Sequence, residues 1–318
     1  MASRAADWAE AIRSADRLAV ARALNLAEDT RPEARVALAA LLEALGEDGG
    51  PRVGVTGPPG VGKSSLLSSL GHALRARGRS VGVVAVDPSS ARTGGALLGD
   101  RARMTFDPED AGLFVRSLAT AGQGGGLSRA AADAVQILSS AFDVGFLETT
   151  GVGQSETAVE HAVDTVMLVV QPGGGDLLQF IKAGVMEIPD LLVVNKADLG
   201  ALAERTYADL RAALASLRAA GVSTDAPVLR VSAKDGAGIE DLVDALEAHA
   251  ASLAPTLHER RLKSAGWRAA GELQRLRGEH GVSALGGVDT LRSRFEKELA
   301  AGQSVPRVVA SALAELDP

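Results

Sequence analysis

The sequence predicts an α/β fold, a mostly parallel sheet with helices on both faces and helical extensions at either end. Three observations predict it. From Arg52 onward, short apolar runs alternate with helical patterns. The runs are near-continuously apolar, as in strands covered on both faces, whereas half-exposed strands alternate. Glycine-rich and acidic segments follow directly on the C-terminal ends of these runs, where ligands bind in open α/β sheets.

Taken in order, residues 6–46 read as helices. Trp8, Ile12, Leu18, Ala21, Leu24 and Leu26 form a rough helical stripe, and Pro32 precedes Val36, Leu38, Leu41, Leu42 and Leu45 at helical spacing. Gly46–Gly50 is a linker carrying two acids. The predicted strands are Arg52–Thr56, Ser80–Asp87, Leu113–Arg116, Asp143–Glu148, Thr165–Val170, Leu191–Asn195 and Val228–Ser232, with helices over Leu66–Arg77 and Ser128–Ser140. From Pro255 the alternation stops. Thr256–Glu279, Val288–Ala301 and Val305–Leu316 read as charged helices with apolar stripes. We divide the chain into an N-terminal helical arm (1–46), a main domain (47–254) and a C-terminal helical arm (255–318), the last suited to dimerisation.

Composition narrows the function. The 318 residues are 46% hydrophobic and 23% charged, which predicts a soluble globular chain able to bury a core. A net charge of −7 argues against nucleic acid as the partner, and 3% aromatics argues against base-stacking platforms. There is no cysteine, so no disulfide framework and no thiolate metal site. No apolar run reaches membrane-span length and no signal-peptide pattern opens the chain, so the predicted location is cytoplasmic, away from membranes. Lysines number six against 27 arginines. Three of the six, Lys63, Lys196 and Lys234, fall in the motifs below, where a compact point charge is needed.

Gly57-Pro58-Pro59-Gly60-Val61-Gly62-Lys63-Ser64-Ser65 fits G-x-x-x-x-G-K-[ST] without mismatch, between a predicted strand and a predicted helix. The glycines let backbone N–H groups turn toward a phosphate, and the helix start adds its positive dipole end. Lys63 would reach the β- and γ-phosphates and Ser64 would hold Mg²⁺, as in P-loop NTPases. Asn195-Lys196-Ala197-Asp198, at a strand end, is the N-K-x-D guanine-reading string of P-loop GTPases. The Asp198 carboxylate can accept from the guanine ring N–H and its exocyclic amine. Adenine lacks that donor pair and would leave a buried carboxylate unpaired, at about 1–3 kcal/mol or more. Asn195 braces the loop, the Lys196 stem lies over the base, and Ser232-Ala233-Lys234 closes the pocket at the guanine carbonyl. Together they predict GTP and GDP as the nucleotides.

Glu148-Thr149-Thr150-Gly151 occupies the slot of the switch II D-x-x-G, with Glu in place of Asp. Glu148 is either an acid of the magnesium water shell or a strand-end surface acid, and Gly151 can present its N–H to the γ-phosphate. In Ras-like GTPases a glutamine follows this glycine. Here the residue is Val152, and the nearest glutamine is Gln154, which predicts slow intrinsic hydrolysis. The catalytic candidates are therefore Lys63, Glu148, Gly151 and Gln154. Asp87 and Asp100, framing a glycine-rich loop, are either further magnesium-shell acids or caps of neighbouring elements. Thr93 is an alternative switch I residue. Gln171–Asp176 is a glycine-rich loop followed by a predicted helix bearing Gln179 and Lys182. The five histidines show no metal-ligand spacing.

These segments together resemble the MeaB/ArgK-type GTPases, relatives of the metallochaperone GTPases. The resemblance rests on Val86–Ser90 with Thr93–Gly95 and Leu98–Asp100, on Glu148–Glu156, on Asp176–Glu187 and on Asn195–Asp198. It implies a G domain binding GTP and Mg²⁺ through Gly57–Ser65, Asp87, Asp100, Glu148, Asn195, Asp198 and Ser232–Lys234. It also implies a homodimer and a chaperone of adenosylcobalamin-dependent acyl-CoA mutases such as methylmalonyl-CoA mutase. GTP binding and hydrolysis would gate cofactor loading and help expel damaged cofactor. A third switch around Gln171–Met186, including Asp176, Gln179 and Lys182, would touch the partner. There the sequence departs from the family's P-G-A-G-D-E-L-Q-G-I-K-K-G at Gly174, Leu177, Phe180 and Ala183, which bears on which mutase is met. The alternatives are a metallochaperone-type GTPase for another metalloenzyme, weakened by the lack of cysteine, and a small-molecule kinase, weakened by the guanine motif.

Overall fold

The computed structural model describes residues 2–87, 107, 109–119, 129–149, 159–174, 189–221 and 225–316. Its centre is a seven-stranded sheet in the order β3-β2-β4-β1-β5-β6-β7. The strands are β1 (Arg52–Thr56), β2 (Val81–Asp87), β3 (Leu113–Ala119), β4 (Val144–Glu148), β5 (Thr165–Val170), β6 (Leu191–Val194) and β7 (Val228–Arg230). Every described pairing is parallel. β1, β5 and β6 are buried throughout, as the unbroken apolar runs required.

The described residues also form ten α-helices: α1 (Ala2–Arg13), α2 (Arg17–Glu28), α3 (Pro32–Leu45), α4 (Lys63–Ala76), α5 (Arg129–Ala141), α6 (Ala201–Ala219), α7 (Ile239–Leu253), α8 (Leu257–Ala284), α9 (Val288–Ala300) and α10 (Val305–Leu316). On one face α5 and the N-terminal helices share a core with Val84, Val86, Leu147 and Val166. On the other, Leu66, Leu67 and Leu70 of α4 and Leu242 and Val243 of α7 cover Val53, Val55, Val83, Phe146, Met167 and Val193. α6 closes the β6 end through Ala203, Leu210 and Leu214.

The elements expected within the described residues are present, with informative shifts at their ends, while the helix expected to bear Gln179 and Lys182 lies outside them. The stripe from Trp8 to Leu26 is two helices. Ala15 takes a left-handed φ of 58°, and Asp16 restarts the helix by accepting the Ala19 N–H on Oδ1 at 2.6 Å. Apolar periodicity is blind to such a one-residue stop. β3 runs three residues past its expected end because it is the outer strand. Polar Arg116 is tolerated there and donates to Asn25 Oδ1 at 2.6 Å and Glu28 Oε2 at 3.0 Å on α2. β7 is shorter than expected, since after Arg230 the chain turns into the loop of Ser232. Ser232 N–H donates to Ala237 O at 2.9 Å.

α8, α9 and α10 form a core of their own around Ala269, Leu273, Leu291, Phe295 and Val308. A buried arginine ties them to the sheet. Arg261 on α8 donates to both oxygens of Asp164 at 2.9 and 2.6 Å and to Gly49 O and Gly50 O at 3.0 and 2.8 Å. Asp164, just before β5, also accepts the Arg52 N–H at 2.8 Å. Arg307 on α10 pairs with Glu43 on α3 at 2.9 Å.

Candidate nucleotide site

The site lies at the C-terminal ends of β1, β4, β5 and β6. Between β1 and α4 the chain must pass close under β5. A Cβ on Gly57, whose φ is +141°, would sit 2.1 Å from Val169 O. Gly62 caps α4 in a left-handed conformation with no side-chain cap. A Cβ there would meet Asn195 Nδ2 at 2.6 Å. Only glycine fits at either position. The capless first turn of α4 leaves backbone N–H groups directed into the loop, with the helix dipole behind them. Pro59 and Gly60 are exposed at the loop's tip, Val61 is buried, and Ser65 is exposed on the first turn.

Lys63 and Ser64 open α4 and are both largely buried. The Lys63 ammonium donates to Gly57 O at 2.7 Å and Pro58 O at 3.1 Å, so its charge is held over the loop. Ser64 Oγ donates to Glu148 Oε1 at 2.8 Å. Glu148 is 3% exposed and ends β4. Pairing with Val55 on one side and Ala85 on the other fixes its height in the sheet. It is therefore no surface acid: hydroxyl and carboxylate meet in the interior. Next to it, Thr149 Oγ1 lies 3.0 Å from Thr56 Oγ1, bonding the ends of β4 and β1.

Asn195 joins three segments. Its N–H donates to Val170 O at 2.9 Å. Its Nδ2 donates to Val61 O at 2.9 Å, while its Oδ1 accepts the Ala233 N–H at 3.2 Å. One fully buried amide thus holds the loop of residues 57–62 and that of residues 232–234 in a fixed relation. Lys196, at φ 59°, donates to Gly60 O at 2.8 Å and to Gln171 Oε1 at 2.6 Å. Asp198 accepts from Ser232 Oγ at 3.2 Å and lies 3.5 Å from the exposed Lys234 ammonium. A side chain the sequence reading had not singled out also serves the loop: Ser69 Oγ, on α4, donates to Ala233 O at 3.0 Å. Nothing local in the sequence marks Ser69 beyond its place one turn after Ser65.

The structure thus gathers Gly57–Ser65, Glu148, Asn195, Lys196, Asp198 and Ser232–Lys234. The side chain of Asp87, and residues Thr93, Asp100, Gly151, Gln154, Asp176, Gln179 and Lys182, lie outside the described residues; the Asp87 backbone ends β2.

Residues 20–277 match the family described as methylmalonyl Co-A mutase-associated GTPase MeaB. The chain belongs to the MeaB family. Among its relatives, a probable GTPase of Mycobacterium tuberculosis is 40% identical over 316 residues, covering 97% of this chain and 94% of the relative. GTPase ArgK of Escherichia coli is 39% identical over 243 residues, covering 74% and 72%. The mouse protein named methylmalonic aciduria type A homolog, mitochondrial, is 38% identical over 245 residues, covering 72% and 59%. A crystal structure described as LAO/AO transport system kinase superposes with a TM-score of 0.62 at 26% identity, covering 94% of this chain and 98% of that one. This MeaB-family chain is accordingly a GTPase of the P-loop class, which binds GTP and forms GDP and phosphate. No helix among its described residues is long and apolar enough to cross a membrane.

Proposed function

We propose that the gathered residues hold GTP and that nucleotide turnover times the action of this MeaB-family GTPase on a partner enzyme. The backbone N–H groups of Gly57–Ser65 and the Lys63 ammonium bind and orient the phosphates. Asp198 reads the guanine N–H groups, the Lys196 stem covers the base, and Ser232–Lys234 supports the carbonyl edge. Glu148 would serve the γ-phosphate side of the site, and the sequence offers Gly151 as a γ-phosphate N–H donor and Gln154 as the nearest following glutamine for a water. Because Val152 stands where Ras-like GTPases carry a glutamine, we propose slow intrinsic hydrolysis.

Ser64 and Glu148 suit Mg²⁺: both offer oxygen donors, both are buried, and their oxygens already approach to 2.8 Å. Asp87 and Asp100 complete the proposed set. Bound there, the ion would neutralise phosphate charge.

The partner we propose is an adenosylcobalamin-dependent acyl-CoA mutase. The GTPase would gate loading of adenosylcobalamin and protect or reactivate the mutase. The observation that carries this is the family match over residues 20–277, which spans the whole nucleotide site and its intervening loops. We further propose a cytoplasmic homodimer, with segments 1–46 and 255–318 as helical arms on a G domain of residues 47–254, and a third switch bearing Asp176, Gln179 and Lys182. Pull-down with candidate cobalamin-dependent mutases, followed by cofactor-loading assays with GTP and GDP, tests the partner. Complex formation with nucleotide-dependent loading is expected. Absence of any complex would sink the proposal.

A further inference from the structure

We infer that Gln171 is a positioning residue for guanine-nucleotide retention, fixing Lys196 and thereby tying the turn after β5 to the base pocket. The inference rests on the reading of residues 195–198 as the base-recognition segment. Its cause lies in the sheet. β5 and β6 are parallel neighbours with Val170 level with Val194, so the first residues beyond each strand emerge side by side. Gln171 follows β5, and Asn195-Lys196 follow β6.

Lys196 is one of two non-glycine residues with positive φ among the described residues. A residue with a side chain seldom adopts that conformation, and it persists where its surroundings over-determine it. A lysine stem is otherwise highly mobile. Here two acceptors on different segments fix its ammonium, Gly60 O at 2.8 Å and Gln171 Oε1 at 2.6 Å. The amide oxygen of Gln171 is neutral, so it holds the ammonium without cancelling its charge.

A second set of contacts involves the same turn. The Gly173 N–H donates to Thr206 Oγ1 at 3.3 Å. A Cβ on Gly173 would lie 3.4 Å from the Leu202 side chain. Leu202 and Thr206 belong to α6, which begins directly after the Lys196–Gly200 segment. The 171–174 turn therefore grips the base-recognition segment at Lys196 and at the helix behind it. A protein that displaces this turn would loosen Lys196 and speed nucleotide exchange.

The test is the dissociation rate of a fluorescently labelled GDP from the full chain, comparing wild type with Q171M, Q171E, K196A and K196A/Q171M. Q171M keeps the volume and removes the acceptor, and Q171E keeps an acceptor oxygen. Loss of one hydrogen bond should speed release about three- to tenfold in Q171M. Q171E should stay close to wild type, and K196A/Q171M should release no faster than K196A. Q171M at the wild-type rate while K196A releases faster overturns the role of Gln171 and leaves the base-site reading intact. Effects that multiply in K196A/Q171M also overturn it, because Gln171 would then act without Lys196. K196A at the wild-type rate overturns both readings. Thermal unfolding of each variant guards the comparison, and Q171N, too short to reach Lys196, replaces Q171M should the latter fold poorly.

Discussion

Asn195 and Asp198 divide the work of one short segment. Asn195 is 1% exposed and spends its amide on protein backbone, at Val61 O and the Ala233 N–H. Asp198 keeps a partly open carboxylate beside Ser232 and Lys234. Substitution should separate the two. Asn195→Ala leaves the buried Val61 O and the partly buried Ala233 N–H without their partner, so a stability loss of about 1–3 kcal/mol is expected in chemical denaturation, together with weaker nucleotide binding. Asp198→Asn preserves shape but turns one acceptor oxygen into a donor. Binding should shift from guanine toward xanthine nucleotides, and unchanged GTP affinity in a titration would contradict the base-reading role. Lys63→Ala should abolish tight triphosphate binding while leaving the fold intact, as circular dichroism beside a GTP titration would show. These residues were legible in the sequence because each motif is contiguous and chemically specific. Ser69 was not, since its bond to Ala233 O spans distant parts of the chain and depends on how α4 lies across the sheet.

At the scale of elements, unbroken apolar runs announced parallel strands because both faces of such a sheet are covered, and burial of β1, β5 and β6 follows that logic. Element ends were less legible where a local or edge effect overrode periodicity. Ala15 stops a helix without proline or glycine, and β3 continues through Arg116 because an outer strand can carry a charge to a neighbouring helix. Glu148 shows the gain from register. Sequence alone left Glu148 as either a metal-shell acid or a surface acid. Pairing with β1 and β2 buries it against Ser64. Ser64→Ala should therefore weaken magnesium-dependent GTP binding more than magnesium-free GDP binding, measured by calorimetry with and without the ion.

Across the whole molecule, the C-terminal helices are fastened by buried charge. Arg261 and Asp164 are each about 95% removed from solvent as side chains. Breaking such a pair by removing one partner leaves the other charge buried, at about 3–5 kcal/mol. Arg261→Ala should lower the unfolding midpoint and loosen α8 from the Gly49–Gly50 linker, read as faster amide exchange in both segments. For the proposed dimer, sedimentation should give a mass above the 32.5 kDa of one chain. The central claim, a slow GTPase timed by a mutase, is tested most directly by single-turnover GTP hydrolysis with and without a cobalamin-dependent acyl-CoA mutase. Slow turnover alone and a clear change in rate within the complex are expected. Fast turnover by the isolated protein, or a rate no such mutase alters, would contradict it.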